Sequence, residues 1–276
     1  MLIAVSAVVI LLLLTTVQYF LPNERESEGL LRTNNWIYDS DGNMYSLEFE
    51  IDADDLNAAR KSTIDRSGSS SRTAYVVGSG SYARTVPAVE DYIVIGDTVT
   101  NLEILLRDVF PSVYGTADST NDKYATFLIN FCQSRGYTGD ENMKYLTDWS
   151  THGTDEYWNY PVETLYLMGG DCEDTSILMA ALLRTAGFES GIALLPGHAM
   201  AMIEMMPAET PEEGLSFNDA LLEYGVHYVK KIPYDSGGYW MLETTSYQIL
   251  PGVIPGEYAF STFHLFPSRS DAAYMS

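Results

Sequence analysis

The stretch Gly169-Gly170-Asp171-Cys172-Glu173-Asp174 sets a thiol among carboxylates at the head of a run, residues 172–186, whose apolar spacing is helical. Cysteine is used only once elsewhere, at Cys132. A helix N-terminus offers unpaired N–H groups and partial positive charge, which favour a thiolate and lower the thiol pKa. The same N–H groups can stabilise the oxyanion that forms when a thiolate attacks a carbonyl. Cys172 is therefore placed as a nucleophile. Asp171, Glu173 and Asp174 oppose ionisation of that thiol, so the site calls for a compensating cation, either an imidazolium or a bound metal ion.

His198 follows Pro196-Gly197 at the start of a strand-like run, a place from which its ring can reach a helix start. It is the natural base. Glu243, in Tyr-Trp-Met-Leu-Glu-Thr-Thr-Ser (239–246), can accept from the other ring nitrogen, fixing the tautomer and stabilising the imidazolium. Three rivals are less well placed: His152 falls in a loop pattern, His227 at a strand start and His264 in the tail. Each member of the trio also has a structural reading, Cys172 as core packing, His198 as a polar strand end and Glu243 as an exposed strand carboxylate. Their combination favours chemistry.

The elements that must position these residues are legible from periodicity. In 172–186 the apolar stripe is Ile177, Leu178, Ala181, Leu182 and Ala186, with Gly187 placed to end the helix and Asp171 suited to cap it, Asp174 following three residues on. Two earlier helices are expected, from Thr98 to Phe110 and from Asn121 onward, the second carrying Cys132 on its apolar face with Phe127, Leu128 and Phe131. Cys132 thus reads as a small buried hydrophobe, and its context is too unlike that of Cys172 to favour a disulfide. Strands follow at 190–195 and from His198, where Ala199, Ala201 and Ile203 alternate with Met200, Met202 and Glu204. Two more, from Val226 and from Tyr239, are joined by the turn Asp235-Ser236-Gly237-Gly238. Helices first and a meandering antiparallel sheet after make an α+β domain.

Residues 2–22 carry no charge and are long enough to cross a bilayer as a helix. With no basic stretch ahead of them and no small-x-small site behind, they read as a membrane anchor, residues 1–22, rather than a cleaved signal peptide. The bulk of the chain is then expected outside the cell. Residues 23–84 read as a connector, with a β-hairpin around Asp41-Gly42 and a Ser/Gly-rich linker from 63, and the compact domain as 85–276. No internal repeat is visible. A formal charge of −23 would repel a phosphate backbone, which argues against nucleic acid as a partner.

Residues 157–188, the Leu194–Glu204 run and the Tyr239–Ser246 run together resemble the transglutaminase-like superfamily, in particular its archaeal and bacterial cysteine-peptidase-like members. The resemblance spans about Asn121 to Pro255. It implies a papain-like core, in which a helix-borne cysteine packs on an antiparallel sheet carrying the histidine and the acid. Cys172 would be the nucleophile, His198 the general base and Glu243 the orienting acid; that family more often has Asp at the third place, with Asp235 as the alternative here. The Gly-Asp-Cys-Glu-Asp run is also similar to transglutaminase-like proteinases that trim surface adhesins and use the acidic flanks for calcium, which maps to Asp171 and Glu173. Helix capping is the other use for those side chains. No further cofactor is implied. The expected substrate is a protein or peptide at the cell surface, with hydrolysis and transamidation both open. Trp158 and Tyr160 read as core rather than as a groove wall, and residues 207–219 as a solvated acidic loop.

Overall fold

The structure is a computed structural model that describes residues 30–67, 71–77, 82–87, 89–134, 141–204, 231–232, 239–246, 251–254 and 263–267, with backbone alone for 71–77, 82–87, 231–232 and 263–267. Strands β1 (Leu31–Tyr38) and β2 (Asn43–Glu50) pair across a turn in which Gly42 has φ 68°, the Asp-Gly hairpin expected there. Helix α1 (Ala53–Arg60) follows, its N-terminus capped by the Asp52 carboxylate. Strands β3 (Ser71–Val77) and β4 (Tyr82–Pro87) come next, then a 3-10 turn at Val89–Tyr92, α2 (Asp97–Val109) and α3 (Asp122–Cys132). The short β5 (Lys144–Tyr145) and α4 (Asp148–His152) lead to α5 (Pro161–Leu167), β6 (Gly169–Gly170) and α6 (Cys172–Thr185). The remaining strands are β7 (Ser190–Leu195), β8 (His198–Glu204), β9 (Lys231–Ile232), β10 (Tyr239–Leu242) and β11 (Phe263–Pro267).

The main sheet has the order β4-β3-β11-β7-β8-β10-β9, every neighbouring pair antiparallel. Mixed helix and antiparallel sheet make the fold α+β as expected, although β3 and β4 of the main sheet precede helices α2 to α6 instead of following them. Helix α6 is the centre of the core, packed against β7 and β8 on one side and against α2, α3 and α5 on the other. This explains why it is buried well beyond one stripe: Thr175, Ser176, Met179 and Ala180 are as inaccessible as Ile177 and Leu178. The Ser190 hydroxyl donates to Ala180 O at 2.9 Å, so α6 covers the face that Ser190 shares in register with Ile192, Leu194, Ala199, Ala201 and Ile203. Small Ala199 and Ala201 allow the helix to approach. The opposite face is buried too, by Ala193, Leu195, Met200, Met202, Tyr239, Met241 and Ile254.

The reading of residues 63–84 as a linker, with a domain starting at 85, is corrected by the sheet. β3 and β4 form its edge, and β3 pairs with β11. Arg66, in the same stretch, is 9% exposed and reaches Glu163 at 2.8 Å, Trp158 O at 2.6 Å and Ala59 O at 2.8 Å. A guanidinium buried with a carboxylate and two carbonyls is an anchor, not a tether. Nor is the hairpin mere connector. Trp36 and Tyr38 of β1 pack edge-on against Phe127, and Asn34 donates to Phe131 O at 3.0 Å, so the hairpin is seated on α3. The described residues from 32 onward form one unit, and the expected anchor at 1–22 lies outside the described residues. No described helix is long and apolar enough to cross a membrane.

Candidate active site

Two glycines set the entry to α6. A side chain at Gly169 would collide with the Lys144 carbonyl, its partner in the parallel β5–β6 pair, and one at Gly170 would collide with Asp174. Asp171 occupies the N-cap position, and its carbonyl takes the Thr175 N–H at 3.2 Å. Its carboxylate makes no capping hydrogen bond, so the capping expectation holds for position and fails for chemistry. Asp174 turns away as well, accepting the Asn159 backbone N–H at 2.7 Å and the Asn159 amide at 2.6 Å.

Cys172 opens the helix as the spacing implied, and it is 9% exposed. Its thiol donates to Glu173 Oε2 at 2.9 Å. Burial pushes the thiol far above its ordinary range, the Glu173 charge and hydrogen bond push it further, and the Ala199 backbone N–H works the other way. The expected lowering by the helix terminus is therefore overridden. Glu173 is itself pushed up to about 7, by burial first and by Asp171 second. Both cysteines are free, and Cys132 is wholly buried, in line with its reading as a core residue.

Strand β8 brings the base. The two-residue turn Pro196-Gly197, with φ 69° at Gly197, makes His198 the first residue of β8, opposite Leu195. His198 Nε2 lies 2.9 Å from Glu243 Oε2, with side chains 9% and 1% exposed. Burial raises the Glu243 carboxyl, but hydrogen bonds with His198 and Thr245 outweigh it and hold the group below its usual range. The structure thus joins His198 to Glu243, and it packs the helix that Cys172 opens against β8, the strand that His198 begins.

Carboxylates crowd the other side of the helix start. Asp148, Asp171 and Asp174 offer oxygens within 4.8 Å of one another, and Asp171, Cys172 and Glu173 form a second such group. Asp148 is 5% exposed; its Oδ2 accepts the Tyr157 N–H at 2.6 Å, while its Oδ1 is buried without a hydrogen bond. Burial, reinforced by Asp171, pushes Asp148 up to about 7 and Asp174 well above its ordinary value. Asp148 was hidden in the sequence because nothing marks a carboxylate in Asp-Trp-Ser-Thr-His as facing a helix start further along the chain.

The rivals separate cleanly. His152 stacks on Tyr157 at 3.8 Å with its Nε2 buried and unbonded, and burial lowers its pKa. His264 occupies a position in β11 opposite Leu194 and Val76. His227, Asp235 and the loop 207–219 lie outside the described residues. Trp158 and Tyr160 are core, as expected: Trp158 is edge-on to Tyr92, and Tyr160 carries Arg66 over its ring at 3.9 Å. Comparison with protein-family models and with curated proteins finds no match to this chain.

Proposed function

We propose that the protein is a membrane-anchored thiol hydrolase or acyltransferase with a papain-like core, acting on peptide or isopeptide bonds through Cys172, His198 and Glu243. The observation that carries this reading is the buried His198–Glu243 pair at the head of the strand on which the Cys172 helix packs. With Nε2 held by Glu243, Nδ1 is the ring atom that takes the thiol proton. The thiolate then attacks an amide carbonyl, forming the C–S bond. As the tetrahedral intermediate collapses, the C–N bond breaks and the imidazolium delivers its proton to the departing amine, leaving a thioester. His198 next takes a proton from water, whose oxygen attacks the thioester, and returns that proton to the sulfur as the carboxylic product leaves. An amine in place of water gives transamidation. Hydrolysis is favoured by the resemblance of the Gly-Asp-Cys-Glu-Asp run. The anchor at 1–22 and a protein substrate at the cell surface belong to the same proposal.

Calcium fits the carboxylates beside the helix. Hard oxygens are what that ion takes, and the buried Asp148 Oδ1, which has no hydrogen bond, is an oxygen such an ion would satisfy. Asp171, Asp148 and Asp174 would hold it; Glu173, engaged by the thiol, is the further ligand that the resemblance implies. Bound there, it supplies positive charge that offsets the carboxylates opposing thiolate formation. Tm measured with calcium and with chelator tests this, a rise with calcium being expected and equal values removing the ion from the proposal.

A second reading has its own support. A sulfur 9% exposed with a raised pKa is what a non-catalytic binding domain would keep. Iodoacetamide labelling of the full chain, read by mass spectrometry at each cysteine, separates the two. The hydrolase reading expects fast Cys172 labelling that H198A slows. Equal labelling of Cys132 and Cys172, or no effect of H198A, leaves only the binding domain.

A further inference from the structure

The Glu243 carboxylate divides its two oxygens between different partners. Oε2 meets His198 Nε2 at 2.9 Å, while Oε1 takes the Thr245 backbone N–H at 2.6 Å and the Thr245 hydroxyl at 2.5 Å. A carboxylate torsion is broad and roughly twofold, so an oxygen without fixed donors would swing and compete for the ring N–H. Two donors on one oxygen remove that freedom. The Thr245 hydroxyl is not needed to satisfy any backbone group, because the oxygen it serves already has the N–H.

The residues on either side of this contact tie the acid to the nucleophile's helix. Thr244 Oγ1 lies 2.9 Å from Thr175 Oγ1 and 3.3 Å from Ser176 Oγ, and all three residues are fully buried. Thr175 in turn donates to the Asp171 carbonyl at 2.6 Å, one residue before Cys172. From α3, Gln133 donates its amide to the Glu243 carbonyl at 2.7 Å. The end of β10 is therefore bracketed from the C-terminal end of α3 and from the first turns of α6, with Glu243 within the bracket.

We propose that Thr245 is a positioning residue that fixes which Glu243 oxygen faces His198, within a bracket whose Thr244 hydroxyl holds the acid against the nucleophile helix. This rests on the Cys172, His198, Glu243 reading, and the experiment keeps the two apart. The full chain is labelled with iodoacetamide across a pH range as wild type, T245V, T245A, T245S, E243Q and H198A, with Tm recorded for each. T245V and T245A slow Cys172 labelling about tenfold at neutral pH and move its midpoint upward, because a loosened acid supports the imidazolium less. T245S, which keeps the hydroxyl, stays within about twofold of wild type in rate. A residue that only supported the fold would shift Tm and leave the rate of folded protein and its midpoint alone. Wild-type rates and midpoints in T245V and T245A, with E243Q and H198A slow, overturn the positioning role and spare the triad. Wild-type rates in E243Q and H198A remove the triad, and the positioning role with it.

Discussion

The carboxylates around the start of α6 impose opposite demands, and single substitutions at Glu173 and Asp148 separate them. Glu173 accepts the thiol proton's hydrogen bond and adds charge beside the sulfur, so E173Q should lower the Cys172 pKa and raise its iodoacetamide labelling several-fold at neutral pH. Unchanged labelling would mean that burial alone sets the thiol's state. Asp148 adds a charge near Asp171 and Asp174, so D148N should raise Tm in chelator and abolish any calcium-dependent rise. A calcium response as large as wild type in D148N would place the ion elsewhere. Among these residues, Cys172 and His198 were legible because a helix start and a Pro-Gly turn leave marks in the sequence. Asp148 and Thr245 were not, since a carboxylate in a loop and a threonine after a strand look the same whether or not they face a site.

Helix α6 is where local signals and tertiary packing agree. Its apolar period and its glycine end match the expectation, its observed bounds, Cys172–Thr185, stop one residue short of the expected 172–186, and β7 was read to the residue as Ser190–Leu195. The entry to α6 is less forgiving than its middle. G170A would drive a methyl group into Asp174 and should cost about 1–3 kcal/mol in urea unfolding, as overpacking does. A wild-type midpoint would show that β6 and α6 can separate freely. L178A, at a fully buried position, should cost about 2–5 kcal/mol by the same measurement, and less than 1 kcal/mol would put α6 outside the core. Strands β3 and β4 escaped the sequence reading because Ser and Gly dominate their flanks and imitate a linker. Among the described residues β4 pairs only with β3, and β3 takes its other neighbour from β11, near the opposite end of the chain, a partner that no local window contains.

Across the whole molecule, acidity couples folding to pH. Asp148 and Glu173 are pushed up to about 7, whereas unfolded carboxyls titrate near 4. Between those values the native state holds more protons than the unfolded chain, so stability falls as pH rises through that window and levels above it. Glu243, held below its usual range, acts in the opposite sense only in strong acid, where protonation removes what it contributes. In chelator, Tm should therefore drop by several degrees between about pH 5 and about pH 8, and calcium should recover most of it at the higher value. A Tm that rises over this range would contradict the buried, like-charged cluster. The order of the main sheet has a further consequence, for biosynthesis. Because β11 is inserted between β3 and β7, a ribosome must deliver residue 267 before the sheet's two halves can join. Until then the growing chain exposes two open edges, which makes the emerging polypeptide a client for chaperones and a C-terminally shortened product prone to pair with its own copies.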